Sequence, residues 1–308
     1  MNAAVRAATR AALAHGWQIY GVRNGFSGLI GDDMMPLSAR DVGGIIHRGG
    51  TMLGSARCPE FHEESGRKRA LDNLLRRDIS ALVVIGGNGS QTGSSMVAAA
   101  GFPVIGLAST IDNDVFGTDV SIGVDTAVNI TLEAIDRLRT TGASHNRAFL
   151  IETMGRGCGH IALLAGIAGG AEVIAIPECE VSPYDVVERL AAAYKRGKTH
   201  ALVVVAEGAN YGAQAMMDYF AEHRAEIGFD LRVTTLGHVV RGGIPSASDR
   251  VLATRLGAAS VDWLERGDTG VLLGLRNNKV VATPLADVVG KTNPIDVTLL
   301  ELARVLAQ

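Results

Sequence analysis

Short, largely apolar runs alternate along this chain with longer segments of helical periodicity, and this alternation limits the folds that the chain can adopt. Six runs are predicted to be strands and span residues 81–85, 103–107, 148–152, 172–176, 201–205 and 231–235. Strands that are apolar on both faces belong to parallel sheets, because helices cover such sheets on both sides. The pattern predicts an α/β protein with two Rossmann-like, doubly wound domains and mainly parallel sheets.

The segments between these runs carry the predicted helices. They lie near residues 2–14, 62–77, 90–100, 124–141, 158–169, 183–195, 212–226 and 246–266. A length of 308 residues suits one large or two medium domains. The 38 glycines, about 12% of the chain, exceed the usual share of about 7% and favour turns where the backbone approaches a ligand closely.

Composition and charge exclude several classes of partner. The 29 basic and 32 acidic residues give a net charge of −3, which argues against a nucleic-acid or anionic-membrane surface. The longest apolar run, residues 161–171, is too short to cross a bilayer. Three scattered cysteines, Cys58, Cys158 and Cys179, fit neither a disulfide framework nor a structural zinc site. We therefore expect a cytoplasmic protein that binds neither nucleic acid nor membrane.

A glycine-rich turn follows the first of these predicted strands. The run 81–85 leads directly into Gly86-Gly-Asn-Gly-Ser90 and then into a helix. Unpaired backbone N–H groups and the positive end of the helix dipole make such a turn suitable for phosphate. Because the spacing matches neither the Walker pattern nor Gly-x-Gly-x-x-Gly, a plain tight turn from strand to helix stays an alternative.

The next predicted strand ends in an acidic segment, Ser109-Thr-Ile-Asp-Asn-Asp114. Asp112 and Asp114 would lie at the carboxyl end of a parallel strand, where open α/β sheets bind ligands. One carboxylate is suited to accept a proton from a substrate hydroxyl, and the other to lie near a metal or the substrate. An Asx-turn that leads into the next helix is the structural alternative.

Arginines next to glycines follow two later strands. Met154-Gly-Arg156 comes after the run 148–152, and Gly237-His-Val-Val-Arg-Gly-Gly243 comes after the run 231–235. A guanidinium group pairs with phosphate oxygens through a fork of two hydrogen bonds. Several arginines at strand ends therefore predict a phosphorylated sugar as the ligand.

Together, these motifs resemble the 6-phosphofructokinase family, in its bacterial ATP-dependent type. Five motifs carry this resemblance, and they occur in the family's order across nearly the whole chain. They are His47-Arg-Gly-Gly-Thr-Met-Leu-Gly-Ser-Ala-Arg57, Gly86-Gly-Asn-Gly-Ser90, Thr110-Ile-Asp-Asn-Asp114, Met154-Gly-Arg156 and Leu236-Gly-His-Val-Val-Arg-Gly-Gly243. The resemblance implies the phosphofructokinase fold and transfer of the γ-phosphoryl group of ATP to the 1-hydroxyl of fructose 6-phosphate, with Mg²⁺, in a homotetramer. It also implies a nucleotide-binding domain over residues 1–123 plus about 240–290, and a sugar-phosphate-binding domain over residues 124–239 plus about 291–308.

The resemblance implies roles for individual residues as well. Asp112 matches the base that accepts the hydroxyl proton, Arg156 matches the arginine that stabilises the transferring phosphoryl group, and Thr110 matches a neighbour of that base. The residues that match substrate ligands are Thr110, Ile111, Asp112, Asp114, Arg147, Met154, Gly155, Arg156, Glu207, Arg232, His238 and Arg241. Among them, Arg147 and Arg232 match arginines that reach the 6-phosphate from a neighbouring subunit, which implies active sites shared between subunits.

Further matches concern ATP, the metal and an effector. The nucleotide cradle corresponds to Arg57, Cys58, Gly87, Asn88, Gly89, Ser90 and Gly93. The metal positions correspond to Asp114 and, as a weaker ligand, Asn88. The positions that bind nucleoside diphosphate or phosphoenolpyruvate in the family correspond to Arg6, Arg10, Arg139, Glu172 and Lys198. Ala39 stands where a further effector arginine is usual.

The chain departs from the family pattern at three other places. In the family, a strand and a Gly-Gly-Asp-Ala-Pro-Gly loop precede the residues that correspond to Met1 and Asn2, and we expect this chain to lack them. Asn88 replaces an aspartate, and a neutral carbonyl is a weaker ligand of Mg²⁺ than a carboxylate. Ser109 replaces the glycine that usually precedes Thr110.

Two other functions stay open. A pyrophosphate-dependent enzyme resembles Gly-Gly-Asp-Asp-Thr with a lysine before Thr-Ile-Asp-Asn-Asp. Here Gly89 leaves room for the α-phosphate of ATP and Ser109 carries no charge, so both positions favour ATP. A catalytically weak structural or regulatory subunit is the other alternative, because we expect the first strand to be missing and Asn88 is neutral. Retention of Asp112, Arg156 and the other phosphate arginines favours an active enzyme.

Overall fold

The structure is a computed structural model that describes residues 1–143, 147–227 and 229–306. Its strands are β1 (Tyr20–Val22), β2 (Met34–Pro36), β3 (Leu82–Gly86), β4 (Val104–Ala108), β5 (Arg147–Thr153), β6 (Val173–Ala175), β7 (Ala201–Ala206), β8 (Asp230–Thr235), β9 (Val271–Arg276) and β10 (Lys279–Pro284). Its helices are α1 (Asn2–Ala14), α2 (Phe26–Gly31), α3 (Glu64–Arg76), α4 (Asn88–Ala99), α5 (Val124–Ala143), α6 (His160–Ala168), α7 (Pro183–Lys195), α8 (Ala213–Glu222), α9 (Arg224–Ile227), α10 (Ala247–Arg266), α11 (Leu285–Val288) and α12 (Thr298–Leu306). Short 3₁₀ helices cover Pro59–His62 and Gly237–Arg241.

The chain divides into two compact units, and each unit has its own sheet. The first unit contains Met1–Gly123 and Ile244–Asn293, and the second contains Val124–Gly243 and Pro294–Gln308. The chain therefore leaves the first unit for the second after Gly123 and again after Asn293.

A four-stranded sheet in the order β10-β9-β4-β3 forms the centre of the first unit. β3, β4 and β9 run parallel, whereas β10 pairs with β9 in the antiparallel direction. Every residue of β4 is buried, as expected for a strand that is covered on both faces. β1 and β2 form a separate antiparallel pair.

The sheet of the second unit has the order β6-β7-β5-β8, and all its strand pairs are parallel. Alternate residues of the fully buried strand β7 pack into two different clusters because successive side chains point to opposite faces. Val203 and Val205 pack with residues of α7 and α8, whereas Leu202 and Val204 pack with residues of α5 and α6. Helices therefore cover this sheet on both faces, which confirms the predicted fold class.

Local sequence signals explain where the helices begin and end. Before α7, the Ser182 hydroxyl accepts from the Asp185 backbone N–H, and the Asp185 carboxylate accepts from the Ser182 backbone N–H. The bonds from Ser182 hold the pKa of Asp185 below its usual value. Before α10, the Ser246 hydroxyl accepts from the Asp249 backbone N–H, and such a cap contributes about 1 kcal/mol. Gly267 ends α10 with a left-handed φ of 81°.

The structure corrects the sequence analysis at several elements. The helix predicted near 212–226 is two helices, because the chain leaves the helical path at His223, where φ is −107°. The strands β1, β2, β9 and β10 were not predicted. β10 is a partly exposed edge strand that ends in Pro284, so it lacks the apolar run of a buried parallel strand. Within the described residues, no helix combines the length and the apolar character that crossing a membrane requires.

Candidate active site

The glycine turn of the first unit connects the end of β3 to the start of α4. A Cβ atom at Gly86 would lie 2.3 Å from Ser90 Oγ, so the turn closes too tightly for a side chain there. Gly89 is exposed, and a Cβ atom at Gly89 would meet no protein atom within 4 Å. The first backbone N–H groups of α4 and the positive end of its dipole are therefore suited to phosphate, as the sequence predicts.

The acidic segment lies directly beside this turn. It follows β4, the neighbour of β3, and the Ser109 N–H donates to the Gly86 carbonyl at 3.0 Å. A Cβ atom at Gly87 would lie 3.4 Å from Thr110 Cβ. The Thr110 hydroxyl accepts from the backbone N–H of Asp112 at 3.2 Å. The structure thus brings the predicted nucleotide turn and the predicted base segment to one edge of the sheet.

Asn113 determines the path of the backbone between the two aspartates. Its φ of 56° is in the left-handed region, which asparagine tolerates better than most residues. Its buried side chain donates to the Asp119 carbonyl at 3.1 Å and accepts from the Ser121 N–H at 2.9 Å. Asp112 and Asp114, both half-buried, therefore extend from either side of a residue that is held in place.

Asn88 and Asp114, the two predicted metal positions, touch each other. Asn88 Nδ2 donates to Asp114 Oδ2 at 2.8 Å. Among the described residues, no group of three or more His, Cys, Asp or Glu side chains is arranged to hold a metal. Mg²⁺ at nucleotide sites commonly takes one or two protein oxygens and completes its shell with phosphate oxygens and water. One carboxylate and one amide fit a Mg²⁺ ion that arrives with a nucleotide.

The remaining nucleotide-cradle residues lie around an aromatic pair. Gly93 is buried, and a Cβ atom there would lie 2.4 Å from the ring of Phe26. Phe26 stacks on Phe61 with ring centroids 4.0 Å apart, and the Phe61 N–H donates to the Cys58 carbonyl at 3.1 Å. Cys58 is half-buried and Arg57 is exposed. Sequence reasoning missed both phenylalanines. The one signal in the sequence is Gly93, a glycine inside a helix, which indicates that another group packs closely against the helix there.

In the second unit, one edge of the sheet gathers most of the predicted sugar-phosphate residues. They follow the carboxyl ends of three parallel strands, with Met154–Arg156 after β5, Glu207 after β7, and His238 and Arg241 in the 3₁₀ helix after β8. Met154 and Gly155 are buried, whereas Arg156, Glu207, His238 and Arg241 are exposed. This is the edge where parallel sheets bind ligands.

The loop that carries Arg156 is held on two sides by residues that sequence reasoning missed. A Cβ atom at Gly208 would lie 1.9 Å from the Arg156 carbonyl oxygen, and the Gly208 N–H donates to the Gly155 carbonyl at 3.1 Å. The N–H of Gly159 donates to both oxygens of Glu178, at 2.9 and 3.1 Å. The backbone of Arg156 is therefore fixed, while its guanidinium group stays exposed.

His160 begins α6 next to this loop. Burial lowers the pKa of His160 below its usual value, and the nearby Glu178 carboxylate acts in the opposite direction. Because burial is the larger of the two effects, we expect a neutral imidazole at pH 7. His160 therefore adds no positive charge beside Arg156.

Arg147 begins β5 at the opposite end of the same sheet, and Arg232 is the third residue of the neighbouring strand β8. Both approach Asp230, with Arg232 Nη2 at 2.7 Å and Arg147 Nε at 3.9 Å from its Oδ2 atom. Arg224, which sequence reasoning missed, lies 3.3 Å from Asp230 Oδ1. Because three guanidinium groups surround one carboxylate, this group of four side chains has a net positive charge. The seven residues of β5 span about 20 Å, so one phosphate cannot reach both Arg147 and Arg156 of the same chain.

The predicted effector residues fall in both units. Arg6 and Arg10 lie on α1 of the first unit. In the second unit, Lys198 Nζ lies 3.1 Å from Glu172 Oε1, and Arg139 Nε donates to His200 Nε2 at 3.4 Å. The structure brings Glu172 and Lys198 together as an ion pair, and their effector role stays a prediction.

Comparison with known proteins decides the family. The family model for Phosphofructokinase matches residues 1–264. The chain belongs to the phosphofructokinase family. Among curated members of the phosphofructokinase family, ATP-dependent 6-phosphofructokinase 1 of Thermus thermophilus is 51% identical over 308 residues, which cover 100% of this chain and 95% of that protein. The resemblance predicted from the motifs is thereby confirmed.

Solved phosphofructokinase structures share the fold. The phosphofructokinase from Saccharomyces cerevisiae superposes with a TM-score of 0.85 at 36% identity, over 93% of this chain but only 43% of the longer yeast chain. A pyrophosphate-dependent phosphofructokinase from Marinobacter aquaeolei gives a TM-score of 0.84 at 24% identity, over 96% of this chain and 82% of that one. The second likeness shows the fold alone.

Proposed function

We propose that this chain transfers the γ-phosphoryl group of ATP to the 1-hydroxyl of fructose 6-phosphate, and so forms fructose 1,6-bisphosphate and ADP. The observation that carries this proposal is 51% identity, over the full chain, to a protein named ATP-dependent 6-phosphofructokinase. The chain is then a glycolytic kinase, with the nucleotide bound by the first unit and the sugar phosphate by the second.

In the first unit, Asp112 acts as the general base. As the 1-hydroxyl oxygen forms its bond to the γ-phosphorus, the hydroxyl proton passes to the Asp112 carboxylate and the bond to the leaving ADP oxygen breaks. Thr110 and Ile111 flank this base, and the N-terminal N–H groups of α4 hold phosphate oxygens. When bound, Mg²⁺ neutralises negative charge on the phosphates, and Asp114 with Asn88 would hold it.

In the second unit, positive charge and polar groups position the sugar phosphate. Arg156 stabilises the charge on the transferring phosphoryl group. Met154 and Gly155 line the sugar, Glu207 accepts hydrogen bonds from sugar hydroxyls, and His238 and Arg241 bind the 6-phosphate. The fixed backbone around Arg156 supports this role, because positioning supplies most of the catalysis in phosphoryl transfer.

We further propose that the enzyme is a homotetramer in which Arg147 and Arg232 complete the active site of a neighbouring subunit. The position of Arg147 at the start of β5, about 20 Å from the carboxyl edge of the sheet, supports this arrangement, and Arg232 approaches the same carboxylate of Asp230. A phosphate bound at the carboxyl edge cannot reach Arg147 of the same chain, so this positive surface is available to a phosphate that a second copy binds. Arg224 belongs to the same surface.

Mixed assemblies test the shared site. Arg232→Ala and Asp112→Ala should each be inactive alone, yet mixed chains should regain part of the activity, because a hybrid site takes Asp112 from one chain and Arg232 from the other. Arg232→Ala mixed with Arg147→Ala is the matched control and should stay inactive, since each site takes both arginines from one chain. Equal recovery in both mixtures, or none in assemblies shown to be mixed, would contradict the proposal.

Asn88→Asp should lower the Mg²⁺ concentration that gives half-maximal rate. The substitution places two carboxylates 2.8 Å apart, which bind a divalent cation more strongly and repel each other without it. Thermal unfolding of the variant should therefore depend more strongly on Mg²⁺ than that of the parent. Asn278→Asp is the control, because it adds the same charge on an exposed turn where Oδ1 accepts from Arg255. Identical Mg²⁺ titrations for parent and Asn88→Asp would remove Asn88 from the metal site.

A coupled assay separates ATP from pyrophosphate as the phosphoryl donor. The open space at Gly89 and the uncharged Ser109 support ATP. Purified chain with fructose 6-phosphate and Mg²⁺ should form fructose 1,6-bisphosphate with ATP and not with pyrophosphate. Turnover with pyrophosphate alone would identify the pyrophosphate-dependent enzyme, and no turnover with either donor would identify a structural or regulatory subunit.

Regulation and location complete the proposal. An anionic effector is proposed to bind to Arg6, Arg10, Arg139, Glu172 and Lys198. The compartment that we propose is the cytoplasm, because Cys58 and Cys179 are unoxidised thiols, as is usual in a reducing environment.

A further inference from the structure

The acidic segment of the first unit is tied to a part of the chain almost 180 residues later. The Asn293 backbone N–H donates to the Asp114 carbonyl at 3.0 Å. Its side-chain amide donates to the Thr118 carbonyl at 3.1 Å and to the Asn113 carbonyl at 3.4 Å. Next to it, Thr292 forms an antiparallel bridge with Val115. Residues 292–293, which we call the strap, therefore hold the end of the acidic segment and the residues that follow it, up to Thr118.

This strap supplies hydrogen bonds that the segment cannot supply itself. The Asp114 and Thr118 carbonyls lie outside helices and strands, and backbone groups that are removed from water need partners. Asn113 is buried, and its own side chain is already bonded to residues 119–121. The backbone around residues 113–118 is therefore held by two asparagines. Asn113 belongs to this segment itself, and Asn293 comes from a distant part of the chain.

The chemistry of the contact requires a donor. The Asn293 amide nitrogen faces two carbonyl oxygens, and only a hydrogen-bond donor is attracted to both. A carboxylate of the same shape would direct a negatively charged oxygen at these two acceptors. The strap therefore depends on amide chemistry and not only on the space that the side chain fills.

We propose that Asn293 is a positioning residue for Asp112 and Asp114, acting on the reaction through the backbone that carries both aspartates. This inference rests on the proposed function. A small displacement of that backbone would misplace the base and the metal ligand together. Because a shift of about 1 Å in a reacting group lowers rates by up to roughly 10²-fold, loss of the strap should reduce kcat more than the KM for fructose 6-phosphate.

Asn293→Asp tests the proposal with almost no change in shape. We expect kcat to fall roughly tenfold, the Mg²⁺ concentration for half-maximal rate to rise, and the KM for fructose 6-phosphate to change little. Binding of the Mg²⁺ complex of a non-hydrolysable ATP analogue, measured by calorimetry, should weaken in parallel. Asn278→Asp is the control, because it makes the same change on an exposed residue of the same unit. Asn293→Gln, which keeps the amide donor, should retain more of kcat than Asn293→Ala.

Each outcome decides the proposal. Wild-type kcat and Mg²⁺ dependence in Asn293→Asp, with or without a lower unfolding temperature, would show a residue that matters only for stability and would overturn it. If Asn293→Asp does not fold, Asn293→Ala and Asn293→Gln take its place, and equal kcat in both would overturn it. If the parent chain does not phosphorylate fructose 6-phosphate, the proposed function fails, while the calorimetric titrations still decide whether Asn293 positions Asp114.

Discussion

Asp112→Asn is expected to lower kcat by roughly 10²–10⁴-fold with little change in the KM for fructose 6-phosphate. The substitution keeps the shape of the side chain and removes the group that accepts the hydroxyl proton. The backbone around it should stay in place, because the Asp112 N–H donates to Thr110 Oγ1 and Asn113 is held by its own side chain. Steady-state kinetics with both substrates varied measure the effect.

Asp119→Asn is the matched control for this prediction. Asp119 is an exposed aspartate seven positions away, and its Oδ2 atom accepts from the Asn277 N–H at 2.8 Å, which an amide oxygen can also do. It should keep the parent kcat. Near-parental kcat in Asp112→Asn would exclude Asp112 as the base, and an equal loss in both variants would point to a general disturbance of the acidic segment.

Gly89→Asp should lower kcat/KM for ATP by about 10²-fold, because a like charge placed against phosphate costs several kcal/mol and about 1.4 kcal/mol corresponds to tenfold. The fold should accept the change, since a Cβ atom at Gly89 meets no protein atom within 4 Å. An acidic residue in the first turn of α4 also interacts favourably with the helix dipole. The variant should therefore unfold at an equal or higher temperature and yet use ATP poorly.

Gly89→Asn separates charge from size. It adds a side chain of the same shape without the negative charge, so it should lose less ATP activity than Gly89→Asp. If the folded Gly89→Asp variant keeps the parental kcat/KM for ATP, the phosphates of ATP do not bind next to Gly89. If both variants lose activity equally, crowding and not charge is the cause.

Local patterns in the sequence predicted the parts of the molecule that depend on short-range order. The strands β3, β4, β5 and β7 were each found within two residues at either end, because the largely apolar runs that form them are typical of parallel sheets that helices cover. The glycine turn and the acidic segment follow β3 and β4 as expected. Since these strands pair in parallel, their carboxyl ends and both motifs lie at one edge of the sheet.

Contacts between distant parts of the chain left no such pattern. Nothing around Asn293 in the sequence indicates that its amide holds carbonyls at residues 113 and 118. Glu178 likewise looks like any polar residue after a strand, although it accepts two hydrogen bonds from Gly159. The edge strand β10 was missed because half-exposed strands carry mixed side chains. These features depend on which segments the fold brings together.

Transfer of labelled phosphate tests the central claim most directly. The purified chain is incubated with fructose 6-phosphate, Mg²⁺ and ATP labelled with ³²P at the γ-phosphate, and the sugar product is separated and its labelled position determined. The proposed function predicts fructose 1,6-bisphosphate that carries the label on the 1-phosphate, with formation of unlabelled ADP in equal amount. Label that stays in ATP, appears as free phosphate or enters another position of the sugar would contradict it.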